Sequence, residues 1–80
     1  MTEATHSTTL DLRGLKCPLP ALRTRKALQA MPPGATLIVE CTDPMSAIDV
    51  PHCAHENGDT LETLTTDGRV FRFRIRRAVA

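Results

Sequence analysis

Leu10-Asp11-Leu12-Arg13-Gly14-Leu15-Lys16-Cys17-Pro18-Leu19-Pro20 is the stretch on which the fold turns. Its first part alternates. Leu10 and Leu12 share one face, and Thr9, Asp11 and Arg13 share the other, which is the period of a half-buried strand over Thr8 to Arg13. Gly14-Leu15-Lys16 ends that strand. Ala21 to Met31 then runs without a breaker, and Pro18 and Pro20 stand where a first helical turn accommodates proline. Ala21, Thr24, Leu28 and Met31 form one face of this helix, with Pro20 and Ala27 alongside. Arg25, Lys26 and Gln29 lie opposite, and Leu22 falls on the polar side, as a rim residue or part of a partner surface.

Downstream, Pro32-Pro33-Gly34 stops the helix. Leu37-Ile38-Val39 marks a strand over Ala35 to Thr42. Asp43-Pro44 reads as a turn or cap, and Met45 to Asn57 as mostly helical. An interior proline removes a backbone hydrogen bond, so the regular helix is expected from about Asp49, with Pro51 in its first turn. Thr60 to Thr66 and Arg69 to Arg77 form two strands joined at a hairpin turn, Asp67-Gly68. Phe71, Phe73 and Ile75 point one way in the last strand, and Arg72, Arg74 and Arg76 the other. The order is β-α-β-α-β-β, a two-layer α/β sandwich with both helices on one sheet face. On the open face, Glu62 and Asp11 are expected to pair with the arginine row.

The chain has 80 residues, 41% hydrophobic and 24% charged, which fits one small domain over residues 9–78. Residues 1–8 are polar and read as a flexible N-terminal tail without a signal-peptide pattern. No apolar run approaches the ~18 residues of a membrane span. The expected location is the cytoplasm, with no membrane partner. The three cysteines, Cys17, Cys41 and Cys53, are then free thiols. The formal net charge of +1 hides a segregation. Arg13 to Lys26 holds five basic residues and no acid, Glu40 to Asp67 seven acids and no Lys or Arg, and Arg69 to Arg77 five arginines.

Cys17 lies inside the first basic block, at a strand-to-helix junction. The positive end of the helix dipole, adjacent Lys16 and Arg23 about two turns on all favour a thiolate, so a modestly lowered thiol pKa is expected. The N–H groups left to serve the sulfur are those of Leu19 and Ala21, because the prolines have none. Pro18 and Pro20 stiffen the loop. A C-x-x-C pair would make a reversible disulfide, but Pro20 occupies the second cysteine's place. A lone thiol without a resolving partner suits a carrier of sulfur better than dithiol exchange. The plainer reading, that Cys17 is a small apolar residue packing a turn, stays open at this point.

The pattern G-L-x-C-P-x-P before a helix resembles the signature of the TusA/SirA-like sulfur-carrier family. The resemblance extends through Pro33-Gly34, Thr42-Asp43-Pro44, Asp49-Val50-Pro51 and Gly58 to Phe73-Arg74-Ile75-Arg76, nearly the whole chain. It implies a four-stranded mixed sheet. It also implies that Cys17 accepts sulfane sulfur as a persulfide from a cysteine desulfurase or similar donor and passes it to an acceptor protein. The destinations it implies are 2-thiouridine in tRNA, molybdenum cofactor or oxidative sulfur metabolism, with no cofactor beyond the covalent sulfur. Lys16 and Arg23 would steady the anion, Pro18 and Pro20 would hold the loop, and Leu22 and Lys26 are candidates for the partner interface.

Other functions remain to be weighed. Cys41, His52, Cys53, His55 and nearby Asp49 offer metal-ligand chemistry, but without a C-x-x-C and with His52 and Cys53 about 100° apart on a helix. Cys41 shares a strand face with Leu37 and Val39, which places it in the core, and Cys53 is expected at or near it. No metal site is expected. The arginine row suggests RNA, yet single-strand readers stack bases on aromatics, and both phenylalanines face inward, so direct nucleic-acid binding is not expected. The alternative to a carrier is a non-catalytic interaction or regulatory module with a basic surface. Thiol reactivity separates the two, because a carrier's Cys17 should alkylate at mildly acidic pH faster than Cys41 or Cys53.

Overall fold

The opening alternation becomes strand β1, Ser7–Leu12, in a computed structural model that describes residues 7–78. It is followed by helix α1 (Leu19–Gln29), strand β2 (Thr36–Cys41), helix α2 (Ser46–Glu56), and strands β3 (Thr60–Asp67) and β4 (Val70–Arg76). The sheet order is β1-β2-β4-β3, with β1 and β2 parallel and the other pairs antiparallel. The β-α-β-α-β-β order is as the sequence pattern suggested, and the four-stranded mixed sheet is as the family resemblance implied.

Both helices pack on one face because the sheet presents its apolar residues there. Leu37, Val39 and Cys41 of β2 and Phe73 and Ile75 of β4 are fully buried, and they meet Leu28 of α1 and Val50 and Ala54 of α2. Each such Leu, Ile or Phe side chain contributes roughly 1.5–3 kcal/mol by leaving water. Thr24 and Pro20 complete the buried stripe of α1, while Leu22 stays exposed on its far side.

The open face carries charge pairs. Glu40 accepts from Arg72, with which it is in cross-strand register. Glu62 receives Arg74 at 3.2 Å and Arg76 at 2.6 Å. Asp11 behaves differently from expectation. It is bound by Arg13, Nε to Oδ1 at 2.8 Å, because two residues along a strand share a face and the guanidinium reaches back. The Arg13 side-chain hydrogen bond holds the Asp11 carboxyl down at about 2.

The structure departs from the sequence reading in several details. Ser7, assigned to the tail, pairs with Thr36 in β1, and Thr8, read both as the end of the tail and as the start of the strand, pairs with Leu37; the rest of the expected tail, residues 1–6, lies outside the described residues. Helix α2 begins at Ser46, not near Asp49, and Pro51 lies inside it. The early start has a local cause. Asp43 Oδ1 accepts the Met45 N–H at 3.1 Å, and its carbonyl oxygen accepts both the N–H and the hydroxyl of Ser46, so the turn is wound before Pro51 is reached. The hairpin loop is Gly68-Arg69, one residue later than expected, with Asp67 paired to Val70 and Gly68 at φ 62°. A positive φ at the first loop position and not the second fits a type II′ turn. Finally, β3 carries a bulge between Leu61 and Thr63. It lets Leu61 and Leu64, three apart, both stand on the helix side opposite Ile75 and Phe73.

Candidate functional site

The loop between β1 and α1 is fixed from outside its own sequence. Gly14 takes φ 85°, a left-handed value open to glycine, and its N–H donates to Thr42 Oγ1 at 2.9 Å. The Cys17 N–H donates to Asp43 Oδ2 at 2.5 Å. The Cys17–Pro18 peptide is cis. Asp43 therefore joins the Cys17 loop to the start of α2, because its other oxygen serves Met45. Of the two readings, turn or cap, Asp43 takes the first: it forms the turn into α2 and braces the Cys17 loop, while the N-cap position falls on Met45, whose side chain makes no capping bond.

Cys17 is exposed, whereas Cys41 and Cys53 are buried. Its Sγ–H donates to Asp49 Oδ2 at 3.0 Å, across from α2. That contact reverses the expected direction of the thiol pKa. It is raised, first by the hydrogen bond to Asp49, then by partial desolvation and by the negative charges of Asp49 and Asp43. The helix terminus offers little in return. The Leu19 N–H, expected near the sulfur, is spent on the Lys16 carbonyl oxygen at 2.9 Å, and Pro20 has none. Faster alkylation than Cys41 or Cys53 is still the expectation, but a lowered thiol pKa is not its basis. What sets it apart from the other thiols is access. Burial pushes both Cys41 and Cys53 up, and Cys53 donates to the Ala21 carbonyl oxygen at 3.3 Å.

The sequence-derived residues divide into three places. Pro18 and Leu22 line a groove between the helices together with Arg25, Asp49, His52 and Glu56. Lys16 borders a neighbouring depression with Leu15, Thr42, Asp43 and Pro44. Arg23 and Lys26 stand apart from both, around Leu10, Ala27 and Ala30 on the β1 side of α1. Pro20 is buried under the helix. Large apolar side chains are exposed near the starts of both helices: Leu19 and Leu22 on α1, Met45 and Ile48 at α2.

Sequence reasoning did not place Asp49 at the sulfur. It lies 32 residues from Cys17, and Asp43 lies 26, so no local spacing could pair them. Arg25 was more accessible to it, since Pro18, Leu22 and Arg25 follow the i, i+4, i+7 stripe of a helix. The candidate metal ligands do not converge. Among the described residues no group of three or more His, Cys, Asp or Glu side chains could hold an ion, and His52 instead approaches Glu56 at 3.4 Å. No helix among the described residues is long and apolar enough to cross a membrane.

Comparison with known proteins bears on the fold and the family. Over 69 residues the chain is 42% identical to the sulfur carrier protein TusA of Allochromatium vinosum, covering 86% of this chain and 91% of that one. Its fold matches the crystal structure of a SirA-like protein from Desulfitobacterium hafniense with a TM-score of 0.76 and 28% identity, over 89% of this chain and 97% of the other. The family model described as sulfurtransferase TusA matches residues 8–77. The chain belongs to the TusA family of sulfur carriers.

Proposed function

We propose that the protein carries sulfane sulfur as a persulfide on Cys17, taking it from a cysteine desulfurase or another sulfane-sulfur donor and passing it to an acceptor protein. The observation that carries this reading is the placement of the thiols. Cys17 alone of the three is exposed, on a loop anchored to the β2–α2 turn. A transferable sulfur must meet a partner's sulfur directly, and Cys41 and Cys53 are closed to one.

The Cys17 thiolate attacks the outer sulfur of the donor persulfide, the donor's S–S bond breaks, and the donor leaves as a thiolate that takes up a proton. The acceptor thiolate later attacks the outer sulfur on Cys17 in the same way. Lys16 supplies a cation beside the loop for the anionic stages, and exposed Leu19 and Leu22 offer apolar area to a docking partner. The acceptor pathway, whether tRNA 2-thiolation, molybdenum cofactor synthesis or other sulfur metabolism, is set by which partner fits this surface.

Intact mass after incubation with a cysteine desulfurase and cysteine tests the proposal. The expected result is addition of one sulfur atom, mapped to Cys17 and absent in Cys17→Ser, whose melting curve stays close to that of the wild type. If neither a desulfurase nor thiosulfate with a rhodanese loads Cys17, the carrier reading fails and the interaction-module reading replaces it.

A further inference from the structure

The site holds a carboxylate that the transfer chemistry does not need as a nucleophile and that works against thiolate formation. Asp49 stands in the first turns of α2, part-buried, and accepts the Cys17 Sγ–H at 3.0 Å. A carboxylate in this position does one thing for a thiol and the opposite for its sulfur-loaded form. A thiol has a proton to donate and is held. A persulfide anion has none, and it meets the like charge of Asp49 with that of Asp43 nearby.

We infer that Asp49 is a positioning residue that keeps the empty Cys17 as a neutral, tethered thiol and releases it on loading, so that the carrier distinguishes its empty from its loaded state at the sulfur itself. The part played in transfer rests on the proposed carrier function; the contact does not. The balance of the loading step fits. Cys17–SH and a donor persulfide anion, R–S–S⁻, give Cys17–S–S⁻ and R–SH. One S–S bond breaks and one forms, the sulfane sulfur moves without net oxidation or reduction, and the proton leaves Cys17 for the departing donor sulfur. Asp49, within hydrogen-bonding reach of that proton, is placed to hold it in between. After the step nothing remains for Asp49 to accept, and its charge disfavours return of the anion to that contact.

Asp43 comes from the β2–α2 turn, Lys16 from the loop of Cys17 itself, Arg25 from α1, and His52 and Glu56 from α2. Arg25 and His52 share the groove with Asp49, but only the two aspartates act on Cys17 through the contacts and charges the structure records there.

The test is the pH profile of Cys17 alkylation by iodoacetamide, followed by peptide mass mapping, in wild type, Asp49→Asn and Asp49→Glu. Asn keeps the shape and removes the charge. The rise in rate should move to lower pH, with labelling near neutrality roughly 3- to 10-fold faster, as expected for losing one exposed hydrogen bond to a carboxylate. Glu should restore the wild-type profile in whole or part. Superimposable wild-type and Asn profiles would overturn the inference, as would an Asn profile displaced to higher pH. Asp49→Ala, with circular dichroism melts on every variant, serves if Asn perturbs folding. Alkylation needs no sulfur donor. Uptake of sulfur from inorganic polysulfide, read in parallel by intact mass, therefore tests the carrier function separately.

Discussion

Removing the Asp43 carboxylate takes away the acceptor of two backbone N–H groups, those of Cys17 and Met45, in one substitution. Asp43→Ala should lower stability by about 1–2 kcal/mol, the order expected for losing backbone hydrogen bonds to a charged acceptor. In a domain of this size that is roughly 4–8 °C of melting temperature per kcal/mol. An unchanged Tm would show that neither bond matters to the fold. At this scale the sequence is informative about Cys17 and silent about its neighbours. A cysteine between a strand and a helix, followed by prolines, can be read from adjacent letters. The sign of its pKa shift cannot, because the two carboxylates that set it arrive from the β2–α2 region and the cations expected to oppose them do not cluster at the sulfur. Arg23 counts two turns along α1 on paper, but in space it borders a different depression.

The elements were more legible than their ends. Strands alternate, helices show their stripes, and Pro32-Pro33-Gly34 breaks the chain where expected. The start of α2 does not follow from Pro51, because the Asp43-centred turn winds the helix before the proline is reached. The bulge in β3 left no mark in the sequence except two leucines spaced for neither face of a regular strand. Within α1, Thr24 is fully buried and its hydroxyl has no hydrogen-bond partner among the described residues. A buried hydroxyl without a partner loses its solvation for nothing. Thr24→Val keeps the volume and a similar helix propensity, and should raise stability by roughly 1 kcal/mol. A urea titration with the midpoint moved down would contradict this account.

For the whole molecule, the segregated charge of the sequence resolves into pairing across the sheet: Glu40 with Arg72, and Glu62 with Arg74 and Arg76. Exposed pairs of this kind contribute little each, at most about 1 kcal/mol. Asp59 is different. It is 6% exposed and sits where α2 leads into β3, accepting from Ala78 N–H at 2.7 Å, Asn57 at 2.7 Å and Arg77 at 3.0 Å. Burial alone would raise its pKa, but the hydrogen bonds from Ala78, Asn57 and Arg77 outweigh it and the pKa is lowered. A carboxyl held lower in the folded than in the unfolded chain adds stability above its unfolded value, about 3.9, and loses it as the pH falls through the folded one. Wild-type Tm should therefore drop on acidification below about pH 4, and Asp59→Asn should start lower and fall less steeply. Parallel slopes would assign the acid sensitivity to other groups. The tie between Cys17 and α2 carries a last consequence. The G-L-x-C-P-x-P letters on an unfolded chain, or grafted onto another strand–helix junction, would present an ordinary thiol. The two aspartates reach it only when a helix more than two dozen residues downstream has docked. The chemistry of this sulfur is a tertiary property, and the state of the thiol is a reading of whether the domain has closed.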